Sequence, residues 1–120
     1  MADVLVVDDD ARTCRALERL LLAAGYTAET AGGGRAALAY LSGRRPGLLL
    51  LDWLMPDVGG PDVLRGVRRA PHLGGLPVVV YTALSDSATE GEAKRLGACD
   101  LVPKSGGWGA LHPLLRKHLR

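Results

Sequence analysis

The sequence predicts a doubly wound α/β fold, a parallel five-stranded sheet with helices on both faces. Three observations lead there. Short apolar runs recur along the 120 residues. Stretches with helical spacing separate them. The strongest runs are apolar throughout rather than alternating, as in strands covered on both faces.

The elements follow in order. The first run is Val4 to Val7, "VLVV". In the next stretch, "ARTCRALERLLLAAG", Leu17, Leu20, Leu21 and Ala24 fall at i, i+3, i+4 and i+7, a helix stripe. Asp10 is the expected N-cap and Gly25 the expected stop. "YTAETA" reads as a weaker second strand, and "GGGRAALAYLSG" as a turn and a short helix. The glycines Gly32 to Gly34 are not followed by the Lys-Ser/Thr of a phosphate-binding loop. "LLLLD", Leu48 to Asp52, is a third strand ending on a carboxylate. "MPDVGG" is a loop and "PDVLRGVRR" a helix. "PVVVYT", Pro77 to Thr82, is the fourth strand, and "SDSATEGEAKRLG" the helix after it. "CDLVP" is the fifth strand and "WGALHPLLRKHLR" the last helix, with a bend expected near its first turn at His112-Pro113. This alternation implies the flavodoxin-like order 2-1-3-4-5 with five helices, in one domain spanning residues 1–120.

Composition narrows the function. The chain is 48% hydrophobic but 4% aromatic, with no Phe, so the core is aliphatic. A net charge of +2 is too weak to argue for nucleic acid. Cys14 and Cys99 have no metal-type spacing and suit a reducing compartment. No apolar run is long enough for a membrane span, and no charged-then-apolar leader opens the chain. A soluble cytoplasmic domain is the expectation.

The first strand runs into three aspartates, Asp8, Asp9 and Asp10. Like carboxylates brought together need a cation or a proton to offset their repulsion. In a doubly wound sheet the ligand crevice lies beyond the carboxyl ends of the strands. The first strand delivers Asp8 and Asp9 there, the third Asp52, the fourth Thr82, and the fifth, just past its end, Lys104. Asp10 is assigned to helix capping. Such an oxygen-rich acid set suits Mg²⁺, which favours one or two carboxylates with waters and phosphate.

At these residues the sequence resembles the receiver domains of two-component response regulators, over essentially its whole length. The stretches that carry the resemblance are "VLVVDDD", "LLLLDWLMPDVGG", "PVVVYTAL" and "GACDLVPK". The steps from Asp9 to Asp52, Asp52 to Thr82 and Thr82 to Lys104 are 43, 30 and 22 residues, close to the usual spacing of that family. The resemblance implies that Asp52 is the phosphoacceptor, attacking a phosphoryl group carried by a histidine of a partner kinase or phosphotransfer protein. It implies direct Mg²⁺ coordination by Asp9, Asp52 and the backbone carbonyl of Leu54, with Asp8 acting more through water. It implies that Lys104 pairs with a phosphoryl oxygen, and that Thr82 donates its hydroxyl to another once the following loop moves inward. The expected activity is self-phosphorylation and self-dephosphorylation rather than turnover of a separate substrate. The expected output is a phosphorylation-dependent contact with a downstream protein, without direct nucleic-acid or membrane binding.

Two departures stand out. Leu101 occupies the fifth-strand position where receivers often carry Tyr or Phe, and Tyr81 points to the opposite face. Ser105 follows Lys104 where the family commonly has Pro, so a trans bond is expected there. These departures support an alternative, a degenerate receiver acting as a constitutive interaction module. An aspartyl-nucleophile hydrolase is a third reading. It is weakened because Leu54 stands where such enzymes carry a second carboxylate. Trp53 is expected to pack near the site without chemistry. His72 and His118 are read as solvated, His112 has no assigned role, and Arg116, Lys117 and Arg120 are read as a solvated helix end.

Overall fold

The computed structural model describes residues 2–84 and 86–119. Its elements run β1 (Val4–Val7), α1 (Ala11–Ala23), β2 (Ala28–Ala31), α2 (Gly34–Leu41), β3 (Leu48–Leu51), α3 (Gly60–Arg69), β4 (Val78–Thr82), α4 (Ser87–Arg95), β5 (Asp100–Pro103) and α5 (Gly107–His118). Single 3₁₀ turns occupy Pro71–Leu73 and Lys104–Gly106. The strands form one sheet in the order β2-β1-β3-β4-β5, and every pairing is parallel. The predicted α/β architecture and strand order are those observed. No helix among the described residues is long and apolar enough to cross a membrane.

Strand alternation sorts the core into two layers. Leu5, Val7, Leu49, Leu51, Val78 and Val80 face Ala37 and Leu41 of α2, Val63, Leu64 and Val67 of α3, and Ala93 of α4. Val4, Val6, Leu48, Leu50, Val79, Tyr81 and Val102 face Cys14, Leu17 and Leu21 of α1 and Leu111 and Leu115 of α5. Leu48, Leu49, Leu50 and Leu51 are each at most 1% exposed. A fully buried Leu contributes about 1.5–3 kcal/mol, so an aliphatic core suffices here without Phe. Leu101 packs, half-buried, on the first layer and Tyr81 is buried in the second, so the two lie on opposite faces as expected.

Several local expectations are corrected. The buried stripe of α1 is Cys14, Leu17 and Leu21, while Leu20 is 39% exposed and Ala24 is exposed. At about 100° per residue the three buried positions span an arc of roughly 60°, and Leu20 lies about 90° from its centre. Ala24 is the C-cap, beyond the last helical turn. α5 begins at Gly107, so Pro113 sits mid-helix rather than in the first turn, and the helix continues through it. The missing N–H leaves the carbonyl of exposed Gly109 open to water. His118 is not a solvated residue: Nε2 lies 2.8 Å from Asp100 Oδ2, and the side chain is 17% exposed. His72 is exposed but fixed, with Nε2 2.7 Å from the Leu41 carbonyl at the end of α2. His112 is half-buried and stacks on Trp108 at 4.9 Å between ring centroids. Arg116 and Lys117 are exposed, and Lys117 approaches Asp100 at 3.9 Å. Arg120 lies outside the described residues.

Candidate functional site

The acids sit where adjacent parallel strands stop. The β1–β3 register continues one residue past each strand, with Asp52 N–H donating to the Val7 carbonyl at 2.9 Å. Asp8 N–H donates to the Ala31 carbonyl of β2 at 3.2 Å. Two carboxylates from distant segments are thereby set side by side by main-chain geometry. Asp8 is 2% and Asp52 6% exposed, whereas Asp9 is exposed. Asp8, Asp9 and Asp52 offer carboxylate oxygens that all lie within 4.8 Å of one another.

Each acid is held by named donors. Asp8 Oδ1 accepts from Asp10 N–H at 2.9 Å, and Asp52 Oδ1 accepts from Trp53 N–H at 2.8 Å. Lys104, in the first turn after β5, reaches back with Nζ 2.7 Å from Asp8 Oδ2 and 3.3 Å from Asp52 Oδ2. Asp10 caps α1 as expected, accepting from Arg12 N–H at 2.9 Å. Cys14 Sγ donates to the Asp8 carbonyl at 3.3 Å and locks α1 to the same segment.

The electrostatics follow from burial and crowding. Burial and then the neighbouring Asp8 charge push the Asp52 carboxyl above its ordinary range, against the opposing pull of Lys104. Burial pulls Lys104 down, but its bond to Asp8 and the charges of Asp52 and Asp8 outweigh this and leave it raised. Burial, helped by Asp8, also pushes the Cys14 thiol up. Three carboxylates and one ammonium leave an excess of negative charge in the cluster. All its donors are hard oxygens, and Asp9 makes no ion pair among the described residues. That donor set fits a divalent cation such as Mg²⁺.

Thr82 ends β4 fully buried, its hydroxyl accepting from Leu84 N–H at 3.3 Å. The structure thus brings Asp8, Asp52 and Lys104 into direct contact and Asp9 beside them, with Thr82 ending the strand next to β3. Leu54 lies on the rim with 60% exposure. No cis peptide bond occurs among the described residues, so the link from Lys104 to Ser105 is trans as expected.

The loop between β3 and α3 is fitted closely to its surroundings. At Gly60 a Cβ would sit 2.7 Å from both the Asp52 carbonyl and Trp53 Cε3, so only glycine lets α3 start there. Asp57 adopts φ +69°, and its carboxylate is gripped by the Arg35 guanidinium of α2. This clamp is not legible in the sequence, where Arg35 and Asp57 are two ordinary surface charges. Also missed is Glu92 of α4, whose Oε1 accepts from Trp53 Nε1 at 3.2 Å. A buried indole N–H requires an acceptor, so the burial of Trp53 could have prompted a search among the acids of α4.

Comparison with known proteins agrees with this geometry. The family model of the response regulator receiver domain matches residues 4–116. The transcriptional regulatory protein KdpE of Mycobacterium tuberculosis is 38% identical over 122 residues, covering 100% of this chain and 52% of its own length. The DNA-binding transcriptional regulator NtrC of Salmonella typhimurium is 39% identical over 101 residues, covering 84% of this chain and 21% of its own length. The chain therefore spans about half, or less, of the curated relatives it matches. Among solved structures, the chemotaxis protein CheY4 of Vibrio cholerae matches with a TM-score of 0.91 at 30% identity, covering 99% of both chains. The response regulator TrrA of Thermotoga maritima, solved in complex with Mg²⁺ and BeF, matches with a TM-score of 0.85 at 29% identity, covering 99% of this chain and 100% of that one. With this sheet order, this acid cluster and these relatives, the chain belongs to the receiver domains of two-component response regulators.

Proposed function

We propose that Asp52 is the phosphoacceptor of this receiver. The observation that carries the reading is the buried Asp8–Lys104–Asp52 contact at the strand ends. It spends an ammonium and two desolvated carboxylates on one point of the surface, which core packing does not require. An Asp52 oxygen attacks the phosphorus of a phosphohistidine on a kinase or phosphotransfer protein. The O–P bond forms as the P–N bond breaks, and the imidazole leaves. Asp9, Asp52 and the Leu54 carbonyl would hold Mg²⁺, with Asp8 acting more through water. Bound there, the ion would supply charge compensation for phosphoryl oxygens. Lys104 transfers its contact from Asp52 to a phosphoryl oxygen. Thr82 donates its hydroxyl to another after the segment that follows it moves inward.

On this reading residues 1–120 act as one signalling domain that turns over only its own acyl phosphate. Its output is a protein contact that differs between the two states. Direct nucleic-acid binding is not part of the reading. Four of the fifteen basic side chains pair with acids at the surface, Arg35 with Asp57, Arg44 with Glu29, Arg65 with Asp62 and Lys94 with Glu90. A reducing, cytoplasmic setting is supported by two cysteines that are both free, Cys14 buried and Cys99 exposed. The test is incubation with acetyl phosphate and Mg²⁺, read by intact mass. One added phosphoryl group is expected on the wild type and none on Asp52→Asn. Undiminished labelling of that variant would place the acceptor elsewhere.

A further inference from the structure

We infer that Glu92 is a positioning residue that couples the state of Asp52 to helix α4 through the side chain of Trp53. The inference deepens the phosphoacceptor reading and rests on it. Trp53 is attached at both ends. Its backbone N–H donates to Asp52 Oδ1 at 2.8 Å, and its indole Nε1–H donates to Glu92 Oε1 at 3.2 Å. The residue is 4% exposed, and its ring lies against the start of α3, where a Cβ on Gly60 would stand 2.7 Å from Cε3. The ring therefore has little freedom to swing. A displacement of the Asp52–Trp53 backbone is carried to the indole, and from there to whatever the indole N–H holds.

What it holds is a helix with few other anchors. Of the residues of α4, Thr89 and Ala93 are buried. The interior position Gly91 has no side chain, which costs about 1 kcal/mol in helix stability relative to Ala. Beyond the helix end, Arg68 Nη2 of α3 donates to the Gly97 carbonyl at 2.6 Å. The Trp53–Glu92 bond grips the middle of the helix and is the contact that leads back to the acid cluster. A buried indole N–H that loses its acceptor is left unsatisfied, so the bond is asymmetric: it is costly to break and modest to form. Coupling of this kind is reciprocal. If the Asp52 state alters α4, removing the tether must alter the response of α4 to that state.

The experiment compares wild type with Glu92→Gln, Glu92→Ala and Trp53→Phe. Gln keeps a carbonyl acceptor, Ala removes it, and Phe keeps much of the ring without the N–H. Without any phosphodonor, the indole ¹H–¹⁵N resonance of Trp53 should move in Glu92→Ala and stay near its wild-type position in Glu92→Gln. Amide exchange over residues 87–95 should quicken about fivefold in Glu92→Ala and Trp53→Phe. With Mg²⁺ and beryllofluoride, exchange over the same residues should change in wild type and Glu92→Gln, and lose most of that change in the other two. A wild-type-sized response in Glu92→Ala overturns the inference. So does a Glu92→Gln variant that behaves like Glu92→Ala, since charge rather than the hydrogen bond would then be at work. Acetyl phosphate labelling separates the two readings. A labelled wild type with no response in α4 overturns the tether alone, whereas an unlabelled wild type overturns the phosphoacceptor assignment.

Discussion

Lys104 Nζ lies 2.7 Å from Asp8 and 3.3 Å from Asp52, one ammonium serving two buried carboxylates. Replacing Lys104 by Met leaves those two charges adjacent with no counter-charge. Breaking a fully buried pair in this way costs about 3–5 kcal/mol. Lys104 keeps 27% side-chain exposure, so we expect about 2–3 kcal/mol in buffer free of divalent cations. Asp52→Asn should act in the opposite direction, because it removes one of the two like charges, and should raise Tm by about 4 °C for each kcal/mol recovered. Urea and thermal unfolding of the two variants read the signs directly. A Lys104→Met protein as stable as wild type would mean that water, not the ammonium, satisfies the acids.

Trp53 should report divalent-ion binding. Its backbone N–H holds Asp52 Oδ1, and the ring is buried. Trp108, stacked on His112, gives a separate background. In Trp108→Phe, titration with Mg²⁺ to tens of millimolar (about the weak-site regime of a largely hydrated ion) should change the remaining fluorescence. Adding Asp9→Asn should weaken the response about tenfold, because the amide keeps an oxygen ligand but loses its negative charge. A flat titration in Trp108→Phe would separate the metal from Trp53.

Helix α4 should be acid-sensitive. Asp86 caps it by accepting from Thr89 N–H at 2.7 Å, and this bond holds the carboxyl below its ordinary value. A carboxyl lowered on folding adds stability that is fully present above its unfolded value of about 3.9, and that is lost as pH falls through the folded value. Protection of the amides of residues 87–95, taken relative to the intrinsic exchange rate at each pH, should therefore fall on descending through this window. In Asp86→Asn, whose amide oxygen still caps, that loss of protection should disappear. At neutral pH these residues should exchange faster than α1, which buries Cys14, Leu17 and Leu21. Slower exchange in α4 would contradict its sparse packing.

The aspartyl phosphate should be long-lived because of Leu54. On the phosphoacceptor reading, a water attacking in line reaches Asp52 across the rim of the site, where Leu54 stands 60% exposed with no group to orient it. Leu84, two positions after Thr82, is half-buried against the core layer of α2, α3 and α4 and stands less in the open than Leu54. Leu54→Asn should shorten the phosphoryl lifetime about 10- to 100-fold, or roughly 1.4–2.7 kcal/mol of barrier. Decay is followed by intact mass after removal of the donor. Equal lifetimes would free Leu54 from any role in water access.

The strands were legible because their side chains are apolar on both faces. "VLVV", "LLLL" and "VVVY" have no other stable home. The acid cluster was legible because each member follows such a strand directly. Less visible was what depends on the phase of a helix or on contacts distant in sequence. Leu20 fits a helix stripe by spacing, yet it faces water because the true stripe is centred on Leu17 and Leu21 and includes a cysteine. His118 reads as a surface histidine until β5 brings Asp100 beneath it. Arg35–Asp57 and Trp53–Glu92 join residues 22 and 39 apart, and no local pattern announces either pair.

The Asp8–Lys104 contact spans 96 positions of the chain, so the acids and their ammonium come from opposite ends of it. Asp8, Asp9 and Asp52 are brought together by the pairing of β1 with β3 alone. Their ammonium comes from the segment after β5, two strands further out in the sheet. Any form of the sheet lacking β5 therefore carries an unneutralised knot of negative charge at its centre. Repulsion thus penalises the half-assembled domain, and the last strand relieves it. Docking of β5 is rewarded twice, by its own packing and by quieting charges laid down at the opposite end of the polypeptide, which favours an all-or-none transition.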